Sequence, residues 1–281
     1  MPPAAWRWKP SFTKPLDAER GDTAEPAMTR TYQHNYSEIR PSVFNLEQRQ
    51  RKAFTVVKVC KDFLQTEDLT HLTLLDVGSS SGIIDNFLAD YFGSVTGIDI
   101  DAPAMSWAQA NFHKANLHYA QGDAMQLAFP NDQFDIVVCS HVYEHVPDAK
   151  VMFEEILRVL KPGGFCYFSG NNRMMWMEPH YRLPLLSLLP RPLAHRYMRL
   201  AGKGDYYHEK HLSYRALKAL CESFQLHDYS LSIIRDPARF GADYMLVPGS
   251  PKWKLAKTVA RLAPWATPHI WLLQKPAGSR P

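Results

Sequence analysis

The stretch Leu72-Thr-Leu-Leu-Asp-Val-Gly-Ser-Ser-Ser-Gly-Ile83 decides the fold of this 281-residue chain. Its first half is a short apolar run of the kind buried on both faces of a sheet. A loop of small residues follows, and Ile83 opens a pattern with helical spacing over 83–91. The alternation continues downstream, with strands expected over 95–99, 117–120, 134–139 and 165–169 and helices over 103–112 and 148–160. Pro162-Gly163-Gly164 stops the last helix. Strands this apolar, alternating with helices, predict an α/β protein with a mostly parallel sheet covered by helices on both faces.

Outward from that centre, a helix over 46–64 leads into the core, with Ala53, Val57, Cys60 and Leu64 on one stripe. Residues 1–40 read as a flexible arm in which Trp6, Trp8, Tyr32 and Tyr36 offer docking groups. Residues 41–281 read as a single domain, with its core over 70–170 and 211–275. The alternation breaks over 171–210, a length that implies function or a substructure of its own. A helix over 214–224, a strand over 226–234 and a last strand over 269–273 then close a seven-stranded sheet.

The net charge of +4 is too modest to mark a nucleic-acid binder, and none is expected. Cys60, Cys139, Cys166 and Cys221 are widely spaced, which predicts free thiols, no zinc site and a reducing compartment. The N-terminus lacks the apolar core of a signal peptide, so a cytoplasmic location is the expectation.

Three chemistries use a strand, a tight loop and a helix of this kind. Dinucleotide binding needs glycine where this loop has Ser80 and Ile83, so NAD or FAD is not expected. A nucleophile elbow is matched literally by Gly78-Ser-Ser80-Ser-Gly82, which leaves a serine hydrolase open. No His-Gly-Gly-type oxyanion loop precedes it, however. The third chemistry is S-adenosylmethionine binding. Asp76-x-Gly78-x-x-x-Gly82 resembles the first motif of class I methyltransferases, with Ser80 standing where the family usually has glycine. Asp99 ends the second strand, Gly122-Asp123-Ala124 follows the third, and Ser140-His-Val-Tyr-Glu-His-Val146 follows the fourth. With Leu160-Lys-Pro-Gly-Gly164, these motifs resemble the ubiquinone/menaquinone-type (methyltransferase type 11) group over residues 70–170.

That resemblance implies a Rossmann-like fold and S-adenosyl-L-methionine as cofactor. It places Asp76, Gly78, Ser79, Ser80 and Gly82 at the cofactor's amino-acid end and ribose, and Asp99 with Ile100 at the ribose hydroxyls. Asp123 and Ala124 fall beside the adenine, and His141 on the adenosyl side. Asp101 reads as solvated or as a helix N-cap, and Asp135 as structural. His145 is the candidate general base, its alternative being a histidine bonded to backbone at a helix start. A base is needed only if the acceptor must lose a proton.

Tyr143, Trp176, His180 and Tyr181 are candidates for the acceptor side. The 171–210 insertion reads as a substrate lid, a dimer surface or a basic amphipathic segment on a membrane, in that order. Its histidines have no spacing that compels a metal site. The acceptor is a small molecule, lipid-like or glycan-linked. No Asn/Asp-Pro-Pro-aromatic stretch follows the fourth strand, and Cys139 and Cys166 lie inside strands, which argues against nucleobase methylation. A catalytically silent binding protein of the same fold remains an alternative.

Overall fold

The structure is a computed structural model that describes residues 31–263, 265 and 267–278. Nine strands are named along it: β1 (Thr73–Val77), β2 (Ser94–Asp99), β3 (Leu117–Gln121), β4 (Phe134–Ser140), β5 (Leu160–Gly170), β6 (Met177–Glu178), β7 (Leu183–Pro184), β8 (Gln225–Asp228) and β9 (His269–Gln274). Seven of them form one sheet in the order β3-β2-β1-β4-β5-β9-β8. The pairs from β3 through β5 are parallel, and β9 and β8 join antiparallel.

Strand periodicity explains how the sheet is covered. Leu74, Val95, Ile136 and Val138 face one side, where α2 (Leu46–Leu64) and α3 (Ile83–Leu88) supply Val57, Cys60, Ile84 and Leu88. Leu75, Val77, Val137 and Cys139 face the other, against Met152, Phe153 and Ile156 of α5 (Ala149–Val159) and Leu217 of α7 (Tyr214–Leu220). The helix ends follow side-chain capping: Asn45 Oδ1 accepts Gln48 N at 3.0 Å ahead of α2, and Asp148 Oδ1 accepts Lys150 N at 2.8 Å ahead of α5. All four cysteines are buried and free.

Two expectations change and one is sharpened. The strand expected over 226–234 stops at Asp228, whose Oδ1 accepts Ser230 N at 2.8 Å and turns the chain into α8 (Ser230–Arg235). Local side-chain bonding overrides β-branched propensity there. The last strand does complete the seven-stranded sheet, from within: β9 inserts between β5 and β8. β5 starts earlier than expected, because the Lys161–Gly164 turn is absorbed as an irregularity between the Phe134–Leu160 and Ile136–Phe165 pairs.

The end of the expected flexible arm is also packed. Residues 31–39 form a 3-10 turn and α1 (Tyr36–Ile39), and Ser37 is buried, its backbone N donating to Asp101 Oδ2 at 2.6 Å. Trp6 and Trp8 lie outside the described residues. The 171–210 insertion folds as the β6–β7 hairpin and α6 (Arg191–Leu200) around a small core of Leu183, Leu186, Ala194, Met198 and Tyr207. Among the described residues no helix is long and apolar enough to cross a membrane.

Candidate active site

The strand order reverses direction between β1 and β4, and a cavity of about 280 Å³ opens there, beyond the carboxyl ends of β1, β2, β3 and β4. Open parallel sheets bind ligands at this switch point because adjacent loops diverge to opposite faces.

The glycine loop divides into residues that reach the cavity and residues that stand behind it. Gly78 and Ser80 line the cavity. Gly78 has φ 85°, and a Cβ there would run into the Val142 side chain, so only glycine lets the backbone come this close. Ser80 takes the left-handed conformation at φ 55°, which explains why glycine is the family's usual residue there.

Ser79 is buried with its hydroxyl against Met105 Sδ, and Gly82 starts α3 with its carbonyl accepting Tyr119 Oη at 2.8 Å. Neither lines the cavity, contrary to the expectation of direct contact. Asp76 does not line it either: it has the parity of Leu74 and faces α3, where its carboxyl meets that of Asp85. Burial raises Asp76 to about 6 and raises Asp85 as well, so the pair holds a proton.

Asp99 lines the cavity. Its Oδ2 accepts Ser80 N at 2.8 Å and its Oδ1 accepts Asp101 N at 2.9 Å, which aims the carboxylate. Each oxygen keeps a further lone pair for a ligand hydroxyl. Ile100, Asp123, Ala124 and His141 line the same space. His141 holds φ 58° while its N donates to Ser169 O at 2.8 Å; its Nδ1 lies 3.4 Å from Glu144 Oε1. Burial lowers His141, with Glu144 opposing. Asp101 is no solvated group: it caps α4 (Ala102–Asn111), accepting Ala104 N at 3.0 Å, and is buried. Asp135 is structural, bound to Thr73 and to Lys161 Nζ at 2.8 Å.

His145 stands on the cavity wall, its ring 5.2 Å from that of Tyr36 and 5.0 Å from that of His180. Burial pushes it down to about 3, so the imidazole is neutral. Tyr36 and His180 also border a second cavity of about 750 Å³, lined by Tyr181 together with Arg40, Arg182 and Lys203. Tyr143 is no lid residue; it is 1% exposed, packs on Phe168 and donates its hydroxyl to Asn171 O. Trp176 is 68% exposed and lines neither cavity.

The sequence reading missed Gln33, Tyr36, Arg49 and Lys52 as cavity residues. Arg49 and Lys52 sit on α2 at i and i+3, a spacing that marked them only as its polar side. The structure also brings together donor groups that their spacing did not announce: Glu144, His145 and His180 form one cluster, and Glu178, His180 and His211 another.

Residues 75–168 match the family model of the methyltransferase domain. A ubiquinone biosynthesis O-methyltransferase of Hydrogenovibrio crunogenus is 30% identical over 160 residues, covering 56% of this chain and 62% of that protein. One from Pseudomonas fluorescens is 38% identical over 104 residues, covering 36% and 44%. The chain thus spans less than two thirds of the length of these curated relatives. In structure, a chain of the complex between the Haloferax volcanii Trm112 methyltransferase activator and a methyltransferase superposes with a TM-score of 0.52. It is 18% identical, with 86% of this chain and 96% of that one covered, a likeness of fold. Sequence match, strand order and the position of the cavity agree: over residues 75–168 this chain carries a methyltransferase domain of the class I S-adenosylmethionine-dependent family.

Proposed function

We propose that the protein methylates a hydroxyl group of a small aromatic acceptor, with S-adenosylmethionine as donor. The observation that carries this reading is the shared cavity in which the aimed Asp99 carboxylate and the neutral His145 imidazole face the same space.

The residues present fit the cofactor. Gly78 offers bare backbone, Asp99 offers two acceptor oxygens for a pair of ribose hydroxyls, and Ile98, Ile100 and Ala124 offer an apolar slot for a base. Asp123 stands where it can accept from an exocyclic amino group, and Arg49 supplies a cation for a carboxylate. When bound, S-adenosylmethionine supplies its methyl group, whose carbon–sulfur bond breaks as the bond to the acceptor oxygen forms. The protein's own contribution is orientation and proton handling: Tyr36 and His180 hold the acceptor's approach, and His145 takes the hydroxyl proton. The second cavity suits the acceptor, since Tyr181 and Tyr206 can stack on a ring while Arg40, Arg182 and Lys203 favour an anionic substituent. The names of the relatives add support for an oxygen acceptor on a quinone precursor.

Calorimetric titration with S-adenosylmethionine and S-adenosylhomocysteine tests the first half. Wild-type binding weakened about 10–100-fold by Asp99→Ala is expected from the loss of charge-assisted hydrogen bonds; no binding of either ligand overturns the reading. Incubation with hydroxylated benzoates and long-chain phenols, followed by mass spectrometry for one added methyl, tests the second.

A further inference from the structure

The β6–β7 hairpin creates a feature that methyl transfer does not require. Glu178 pairs with Leu183 across it, Arg182 N returns to Glu178 O at 2.8 Å, and the turn between them carries His180. The Glu178 side chain is fully buried. Its Oε2 accepts Tyr181 N at 2.8 Å, while its Oε1 lies 2.7 Å from His180 Nδ1 and 3.5 Å from His211 Nε2. His211 comes from a different part of the chain, held beside the β4 loop because Lys210 N donates to Glu144 O at 2.8 Å.

His211 is the telling residue. Its side chain is 1% exposed, yet Nδ1 meets no hydrogen-bond partner among the described residues and Nε2 has only the long 3.5 Å approach to Glu178 Oε1. A buried imidazole left this way costs free energy unless something else satisfies it. One donor atom from each of Glu178, His180 and His211 lies within 4.8 Å of the others. Nitrogen and oxygen ligands about 2.1 Å from a tetrahedral zinc ion stand about 3.4 Å apart; His211 Nε2 already stands near that distance from Glu178 Oε1, and the 2.7 Å hydrogen bond of His180 Nδ1 to the same oxygen has to open to admit the ion. Tyr181 N fixes the other carboxylate oxygen, the outer support that metal-bound carboxylates usually have.

We propose that Glu178, His180 and His211 bind one divalent transition-metal ion that pins the inserted segment against the cavity wall. Two imidazoles and one carboxylate select zinc, or a neighbour such as cobalt or nickel, over magnesium and calcium, which prefer all-oxygen sites. The fourth position is left to water. His180 borders both cavities, which gives the ion an entry path and makes it a support for the acceptor wall. The site does not depend on the chain being an active methyltransferase, since its donors are held by the hairpin and the β4 loop.

The test uses the full chain without a polyhistidine tag, stripped with a chelator and titrated with Zn2+ and Co2+. Expected are one equivalent by elemental analysis, the visible absorption of four-coordinate cobalt, and a metal-dependent rise in Tm. His211→Gln and Glu178→Gln should each weaken uptake at least about 100-fold while keeping the circular dichroism of the stripped wild type. His145→Gln, which removes a donor of the adjacent Glu144–His145–His180 cluster but none of the three proposed ligands, should keep one equivalent. No saturable uptake by the wild type overturns the proposal, and so does full uptake by a folded His211→Gln. The wild-type titration decides by itself if a variant fails to fold.

Discussion

The loop after β1 and the segment between β5 and α7 both border the same cavity, yet they are built in opposite ways. In the loop, every useful group lies within a few residues of a strand end. Gly78, Ser80 and Asp99 are placed by the parallel pairing of β1 with β2, and Gly78 N and Ser79 N both donate to Ile98 O at 2.9 Å. In the segment, Glu178, His180, Tyr181 and His211 become neighbours only because a two-residue hairpin packs under α6 and meets the β4 loop. Pairing along a parallel sheet places groups by local rules, whereas packing between distant pieces places them by the sum of many contacts.

If this contrast also divides the labour, with the cofactor at the strand ends and acceptor chemistry where the β4 loop meets the segment at the His145–His180 contact, His145→Gln gives the largest effect. Single-turnover rates should fall about 10²-fold or more, with S-adenosylhomocysteine affinity unchanged by calorimetry. An equal loss in both would break the division. Next comes Gly97→Ala, which probes how tightly the cofactor side is packed. A Cβ there would meet Asp85 Oδ2 at 2.7 Å and Ser79 Oγ at 2.9 Å, inside the buried layer behind the loop. Denaturant unfolding should show a loss of about 1–3 kcal/mol; an unchanged midpoint would mean the layer yields.

Acid should act on the two regions with opposite sign. Asp76 is raised by burial to about 6, so the folded state holds a proton that the unfolded chain releases above about 3.8. Its contribution is present at low pH and is lost as pH rises through 6. His269 anchors the start of the inserted segment to β9. Asn172 Oδ1 accepts Met174 N, so its amide nitrogen faces His269 Nε2 at 2.8 Å, which must accept and stay unprotonated. Burial lowers His269 to about 4, so its contribution is present above the unfolded value of 6.5 and is lost as pH falls through 4. Thermal melts from pH 7.5 to 4 should therefore show Asp76→Asn gaining on the wild type at the neutral end and His269→Phe gaining at the acid end. The reverse order would contradict both assignments.

Ser80→Gly gives the smallest effect. Relief of the left-handed backbone and the extra freedom of glycine nearly offset each other, so stability should stay within about 1 kcal/mol. Cofactor affinity should persist; its loss would show that the hydroxyl itself is used.

Much of this was legible in the sequence, and what was not has an identifiable cause. The strands β1 to β5 and the helices between them follow from apolar runs whose period is set by the backbone, and Asp99, Ile100, Asp123, Ala124 and His141 line the cavity as their positions at strand ends imply. Asp76 went astray because a motif records residue type and spacing but not which face of β1 the side chain occupies. Asp228 defeated the strand reading because one side-chain oxygen redirected the backbone.

The sequence by itself determined the parallel α/β sheet, the glycine loop and the carboxylate at the end of β2, since each depends on interactions within one strand–loop–helix unit. Only the tertiary structure decided that Tyr36 and Arg49 face the cavity, that Tyr143 is core, and that Glu178, His180 and His211 converge. Those outcomes depend on how separately formed units pack, and no local pattern of residues encodes a distance between them.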